Sequence, residues 1–198
     1  MKSSVCKIEN GTKDLEAILK ESERVAEYVG LAHKQTLQLR LLCEELDGML
    51  PNIVDEFEGE FWIEYEEGVC RVKAAVKIPE LTAAKKAELV EVAKNKQNAA
   101  AVGVVGKIRS AIENLFLNEG AAEAFCVSAG MFRLATGYSE GVDYSYLWSL
   151  EQYRSTVTEK ASEDWDELEK SVIAAVADDV IVGVKGKRAE ITIVKKFA

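Results

Sequence analysis

Proline and histidine are scarce in this chain, and long apolar runs are missing. Two prolines among 198 residues argue against a proline-rich or disordered chain. The longest uncharged runs, such as residues 97–106, fall far short of the roughly 20 residues that a membrane span needs. Basic residues are not in excess either, because 25 of them against 34 acidic residues give a net charge of -9. That balance argues against a nucleic-acid partner, since phosphate binding depends on clustered Lys and Arg.

No basic, apolar leader opens the sequence, so we expect a cytoplasmic protein.

The four cysteines are not spaced for a shared structural role. Cys6, Cys43, Cys70 and Cys126 lie far apart among apolar neighbours, with none at C-x-x-C spacing. A disulfide framework or a zinc site needs closer clustering, so we interpret them as reduced thiols that pack as small hydrophobes. The one histidine, His33, is interpreted as a surface or capping residue. We therefore expect no metal site.

The first part of the chain predicts a strand followed by two helices. Residues 3–9 form a short strand pattern, and apolar residues at helical spacing over about 12–30 predict the first helix. A second apolar stripe starts near Lys34. We expect that helix to reach about Leu50 and to break at Pro51, because proline removes a backbone donor and crowds the preceding turn.

Two segments alternate with period two and predict hairpins. Residues 61–65 and 69–78 alternate around a turn at 66–68, which leaves one face apolar. Residues 180–185 and 188–195 repeat the pattern around a Lys-Gly-Lys turn. An apolar face of this kind must be covered by another layer.

The middle of the chain, residues 80–160, has a mostly helical pattern. One helix is predicted over 143–157, and another over 163–177 precedes the closing hairpin. We therefore predict a single α/β domain of residues 1–198. Its architecture is a two-layer sandwich, with a mostly antiparallel sheet of four or five strands, helices on one face and an enlarged helical middle.

Two separated segments resemble one known family. The first runs from DLEAILKESERVAEYVGLAHKQTLQLRLLCEELDGMLPNI into EFWIEYEEGVCRVKAAVKI, and the second is LEKSVIAAVADDVIVGVKGKRAEITIVKKF. Their order resembles the ATP-binding module of the histidine-kinase-like (GHKL) ATPases, nearest to the short anti-sigma-factor kinases. In that family a helix ending in Glu-x-x-x-Asn precedes a hairpin, and the chain closes with helix, strand, Lys/Gly turn and strand. The resemblance implies a core of residues 1–79 and 162–198, with a helical insertion, 80–161, replacing the nucleotide lid.

The resemblance assigns chemistry to the end of the second helix. In the family the Glu activates water or a substrate hydroxyl, and the Asn binds the Mg²⁺ that bridges the nucleotide phosphates. It implies that Glu45 takes the acidic position and that Met49 stands where the Asn would be. Because a hard cation needs oxygen ligands, Met49 cannot hold Mg²⁺. Asn52, one turn further on, is the remaining candidate.

The other nucleotide-binding motifs of the family are also missing. The segment AVKIPELTA after the hairpin lacks the adenine-binding Asp-x-Gly-x-Gly, and SEDWDELEKS before the last helix lacks glycine. The run VGVVGK at 102–107 opens a helical pattern but does not have the spacing of a phosphate-binding loop. We interpret its glycines as positions of close helix packing.

Two further groups of residues leave alternatives open. Glu44, Glu45 and Asp47 are either a solvated helix face or, if buried, carboxylates suited to acid–base chemistry. An aromatic concentration is either core or the lining of a pocket or protein interface, where Tyr and Trp are enriched. Its members are Tyr138, Tyr144, Tyr146, Trp148 and Tyr153.

The missing motifs favour binding over catalysis. We expect a regulatory protein built on a degenerate module, which binds a protein partner, as anti-sigma factors do, and needs no cofactor. A homodimer is left open. The alternative is an active ATP-dependent serine kinase or ATPase in which Glu45 is the base and Asn52 holds the Mg²⁺ of Mg-ATP.

Overall fold

The computed structural model of the protein describes most of the two segments that flank the helical middle. The described residues are 1–10, 15–54, 56–77, 104–109, 112, 146–157, 171–185 and 188–197. The predictions for Tyr138, Tyr144 and Cys126, and for most of the helical middle, lie outside these residues.

Six strands and five helices are formed within the described ranges. In chain order they are β1 (Cys6–Glu9), α1 (Leu15–Val29), α2 (His33–Ile53), β2 (Glu58–Glu66), β3 (Val69–Lys77), α3 (104–109), β4 (Tyr146–Ser149), α4 (Leu150–Val157), α5 (Val172–Val176), β5 (Asp179–Lys185) and β6 (Arg188–Lys196). The strands make one open sheet in the order β1-β2-β3-β6-β5-β4. Every neighbouring pair is antiparallel. The predicted α/β fold is therefore confirmed, with six strands where four or five were expected.

The β2–β3 hairpin turns at the position that the sequence predicts. Glu66 pairs with Val69, and the two residues between them have positive φ angles, 48° at Glu67 and 82° at Gly68. Two consecutive positive φ angles are typical of the type I′ turn that suits a two-residue hairpin. Gly68 adopts this conformation without steric cost, whereas Glu67 does not.

The sheet has one apolar and one polar face, because successive side chains of a strand point to opposite sides. The apolar face consists of buried side chains, including Phe61, Ile63, Val72, Ala74, Val180, Val182, Ile191 and Ile193. The polar face carries Glu60, Trp62, Glu64, Lys73, Arg188, Glu190 and Thr192 in the alternate positions.

The helices α1 and α2 cover the apolar face. Both present a buried stripe at helical spacing, with Ile18 and Val25 on α1, and Leu39, Leu42 and Leu46 on α2. Helix α1 packs on β2, and α2 packs on β3 and β6 beside α5. These side chains and the apolar face form one core cluster.

The break predicted at Pro51 is wrong, because α2 continues to Ile53. Hydrogen bonding resumes immediately after the proline. The Asn52 side chain donates to Gly48 C=O at 3.3 Å, and Val54 N–H donates to Leu50 C=O at 3.0 Å. Pro51 has no N–H to donate, so the helix loses one backbone hydrogen bond near its C-terminal end. Burial of Leu50 and Ile53 offsets this loss.

The helix predicted over 143–157 is wrong in its first part, because residues 146–149 form β4. Trp148 pairs with Val182 of β5, and the helix begins only at Leu150. Ser149 marks the change, since its Oγ accepts from Gln152 N–H at 3.1 Å, the bond of a helix N-cap. A short aromatic run does not distinguish strand from helix by its spacing.

Within the described ranges, no helix combines the length and the apolar character that crossing a bilayer requires.

Candidate functional site

The three residues that the resemblance singles out lie along one side of α2. Glu45, Met49 and Asn52 are spaced i, i+4 and i+7, which places them on adjoining turns of one helix face. Their exposure differs. Met49 is buried at 3%, Glu45 is half-buried and Asn52 is exposed. The structure therefore aligns the three residues, but it does not bring three polar groups together.

Met49 belongs to the apolar core. The same cluster contains Val104 and Ile108 of α3 and the nearby Ile112, each exposed by 3% or less. These residues come from the predicted helical middle, so part of that middle joins the core to which Met49 belongs. A thioether among aliphatic side chains offers a hard cation no ligand.

Asn52 is committed to bonds within the protein. Its side-chain amide donates to Gly48 C=O, and its own backbone carbonyl accepts from Arg109 Nη1 at 3.3 Å. This contact places the Arg109 guanidinium of α3 beside the end of α2. A positive neighbour disfavours a bound Mg²⁺ by Coulomb repulsion.

Glu44 and Asp47 of the acidic cluster lie in charged, accessible surroundings. Glu44 Oε1 bonds Arg40 Nε at 3.2 Å, and Arg40 Nη1 also bonds Glu23 of α1 at 2.9 Å. Asp47 lines an open groove of about 870 Å³ between α1 and α2, together with Arg40 and Glu23. The solvated-face interpretation therefore fits Glu44 and Asp47, whose surroundings are charged and accessible.

The described part of the aromatic concentration packs partly into the core. Trp148 and Tyr153 are half-buried against the apolar cluster, with ring centroids 6.1 Å apart. Lys107 of α3 lies over the Tyr153 ring, its Nζ 5.6 Å from the centroid, which is within cation–π range. Trp148 lies in β4, so its contact with Tyr153, together with Lys107, joins α3, α4 and the β4 edge of the sheet.

Sequence reasoning missed a polar cluster around Lys73. Lys73 Nζ lies 3.2 Å from Glu64 Oε2 and 3.4 Å from Glu190 Oε1, and its side chain is only 11% exposed. Trp62 Nε1 donates to Glu64 Oε1 at 2.7 Å. Burial alone would raise the pKa of Glu64, but the Trp62 hydrogen bond and the Lys73 ammonium together lower it. The cluster is satisfied internally, which is typical of a structural network.

A second missed residue is Asp179, at the start of β5. Its Oδ1 accepts from Glu151 N–H at 3.0 Å and from Val180 N–H at 2.8 Å. Burial raises the pKa of this carboxyl despite both bonds. Nearby, Arg154 of α4 donates to the carbonyls of Ala174 and Asp178. These contacts fix α4 to the junction of α5 and β5.

The described cysteines behave as hydrophobes. Cys43 and Cys70 are fully buried and unbridged. Burial raises the pKa of the Cys70 thiol to about 12 and that of Cys43 well above its ordinary value. Both therefore stay protonated at neutral pH, and no cluster of metal-binding side chains occurs in the part of the chain that the structure describes.

The main functional evidence is the geometry of α2, because comparison with known proteins gives no match. Neither a family model, nor a curated protein, nor a solved structure matches this chain. The residues to which the resemblance attaches chemistry are Glu45, Met49 and Asn52.

Proposed function

We propose that this chain is a non-catalytic regulatory protein built on a degenerate GHKL-like ATPase module, and that it acts by binding another protein. The observation that carries the proposal is the burial of Met49. In an active module of this type the same position points an oxygen ligand at Mg²⁺. A buried thioether there is compatible with a retained fold and a lost nucleotide site.

The order of elements supports the GHKL-like part of the proposal. Helix α2 is followed by the β2–β3 hairpin, and the chain closes with α5, β5 and β6. This is the order on which the resemblance rests. The closing strand β6 pairs with both β3 and β5, so both resembling segments contribute to one sheet.

The contacts of α3 support the loss of the nucleotide. Ile108 is fully buried in the core cluster that includes Met49, and Arg109 donates to the carbonyl of Asn52. Apolar filling beside Met49 disfavours both Mg²⁺ and the phosphates it would bridge, and the guanidinium beside Asn52 disfavours the cation by Coulomb repulsion. We therefore expect no cofactor, and we expect the alternative, a kinase with Glu45 as base, to fail for lack of a metal ligand.

Nucleotide binding is tested by thermal unfolding with and without Mg-ATP. A ligand at 100 times its Kd adds about 2.7 kcal/mol to the free energy of unfolding, so even a modest site would raise the Tm. We expect no shift at millimolar Mg-ATP. A saturable, Mg²⁺-dependent shift that Asn52→Ala abolishes would replace this proposal with the kinase alternative.

Protein binding is tested by crosslinking in the native cell, followed by purification of the tagged chain. Lys107 provides an amine beside Tyr153, so crosslinks from Lys107 to one specific partner are expected if the aromatic region is the interface. Adding ATP should leave the yield of that partner unchanged. Recovery of no specific partner would contradict the regulatory part of the proposal.

A further inference from the structure

A small hollow lies on the polar face of the sheet, on the side that α1 and α2 do not cover. Its volume is about 330 Å³, and residues of β1, β2, β3 and β6 line it. The lining contains as many basic as acidic side chains, so it has no net formal charge. The basic residues are Lys7, Lys77 and Arg188, and the acidic residues are Glu9, Glu58 and Glu60.

The strand register explains where the hollow forms. Residues that lie opposite each other in a ladder share one face of the sheet, and two rows of opposed residues project here from the polar face. The first row is Lys7, Glu60 and Ala75, and the second is Glu58, Lys77 and Arg188. Ala75 has the shortest side chain of the six and is buried at 1%, so the longer charged side chains around it leave a depression.

The ion pairs of the lining leave one cation over. Glu60 lies opposite Lys7, yet its Oε2 accepts from Arg188 Nη2 at 2.8 Å, so Arg188 reaches across β3 to the carboxylate nearest Lys7. Glu58 Oε2 pairs with Lys77 Nζ at 3.4 Å. In the described part of the chain, the Lys7 side chain forms no hydrogen bond or ion pair.

The groups that remain for a ligand carry both signs. Lys7 and the other N–H groups of Arg188 can donate, and the second oxygens of Glu58 and Glu60 can accept. An anion alone would be repelled by the two carboxylates, and a cation alone by the ammonium and the guanidinium. A small molecule with both an oxyanion and an ammonium can make charge-assisted hydrogen bonds to both sets. The volume is at the lower end of the range for ligand pockets, which suits a molecule much smaller than a nucleotide.

We propose that this hollow binds a free α-amino acid, with its carboxylate on Lys7 and Arg188 and its ammonium on Glu58 and Glu60. Glu9 already has a contact within the chain and takes no part. Both ion pairs of the lining are more than half exposed. Since exposed pairs contribute little to stability, their side chains can shift to admit the ligand. The site is on the opposite face of the sheet from α2, so it does not depend on whether the chain binds nucleotide or another protein.

Titration calorimetry of the purified full chain with each standard amino acid tests the proposal. At least one of them is expected to bind, with one site per chain. Two analogues of that amino acid are the matched controls, namely the carboxylic acid without the amino group and the amine without the carboxylate. Each analogue loses one set of charged contacts, so its Kd should be about tenfold higher or more.

Charge variants locate the binding in this hollow. Lys7→Gln removes the unpaired ammonium and should raise the Kd of the amino acid about tenfold or more. Glu58→Gln should weaken the amino acid as well, but it should strengthen the carboxylic-acid analogue, because a repelling carboxylate is gone. Lys20→Gln removes the same charge at an exposed position of α1 and should leave the Kd unchanged.

Lys7 and Glu58 are exposed, so the circular dichroism and the Tm of both variants should match those of wild type. Absence of binding by every amino acid at millimolar concentration would overturn the proposal. So would a carboxylic-acid or amine analogue that binds as tightly as its amino acid, or a Kd that Lys7→Gln leaves unchanged.

Discussion

The two faces of the sheet are made from the same strands but depend on different interactions. On β3, Val72 and Ala74 are buried on the apolar face, whereas Lys73 between them contacts Glu64 and Glu190 on the polar face. Stability on the first face comes from area removed from water and from close packing. On the polar face, stability comes from the pairing of charged groups that are already mostly removed from water. Substitutions on the two faces should therefore differ in size and in their response to salt and pH.

The largest effect is expected at Met49, where α2 covers the apolar face. Met49→Asn loses the burial of a large apolar side chain and places an amide in the core, which together cost about 3–5 kcal/mol. The matched control, Met49→Leu, keeps the volume and should cost less than about 1.5 kcal/mol. Urea unfolding measures both. A loss below about 1 kcal/mol for Met49→Asn would mean that position 49 can reach water.

A smaller loss is expected where the apolar side of β2 has no spare space. A Cβ at Gly59 would overlap the carbonyl oxygen of Ala75 and lie 2.9 Å from Val76 Cγ1, so Gly59→Ala should cost about 1–3 kcal/mol.

The control variant, at Gly48, should raise the free energy of unfolding instead of lowering it. Gly48 in α2 has nothing within 4 Å of its Cβ position, and Gly48→Ala should add about 0.5–1 kcal/mol. Equal effects of the two alanines in chemical unfolding would contradict the packing at Gly59.

On the polar face, removal of the central cation is expected to cost less. Lys73→Met leaves the carboxylates of Glu64 and Glu190 without their ammonium, at a cost of about 1–2 kcal/mol after allowance for their partial exposure. High salt should reduce this loss, whereas it should not reduce the loss at Met49. Arg188→Met breaks an exposed pair with Glu60 and should cost at most about 1 kcal/mol. A salt-independent loss at Lys73 would show that its stem, and not its charge, matters.

The smallest effects are expected in the dependence of stability on pH. The pKa of Glu64 is lowered in the folded protein, so its contribution is complete above its ordinary pKa and is lost as the pH falls through the lowered value. The pKa of Asp179 is raised by burial, so its contribution is present below its ordinary pKa and is lost as the pH rises through the raised value. Glu64→Gln should therefore lessen the loss of stability in acid. Asp179→Asn removes the buried charge but keeps an Oδ1 that accepts hydrogen bonds. The variant should therefore be more stable than wild type at neutral pH, and this gain should shrink in acid.

Urea midpoints measured from about pH 3 to about pH 7 separate the two carboxyl groups. The slope of the urea midpoint against pH should change in opposite directions for Glu64→Gln and Asp179→Asn. Identical pH profiles for wild type and both variants would contradict the assigned contacts.

Much of the fold follows from spacing along the sequence. Helices α1 and α2 carry long apolar stripes, and most positions of the β2–β3 hairpin alternate on both sides of Gly68. β4 could not be predicted in the same way, because its four residues become a strand by pairing with β5. Strand formation in so short a segment depends on the neighbour more than on propensity.

In the candidate site, too, some features could be predicted from the sequence and others could not. Burial of Met49 follows from its place in the apolar stripe of α2. The contact between Arg109 and Asn52 and the bond from Glu151 N–H to Asp179 join residues that are far apart in the chain. Local periodicity contains no information on such pairs, so neither could be predicted from one sequence.

The position of β6 between β3 and β5 determines when the sheet can form during synthesis. Residues 69–77 pair with residues 188–196, so β3 leaves the ribosome long before its neighbour exists. Until then β3 presents one uncovered edge, which is an opportunity for misassembly and a reason for chaperone contact. Pairing over such a distance along the chain also slows folding. The protein therefore completes its central sheet only after synthesis has passed β6.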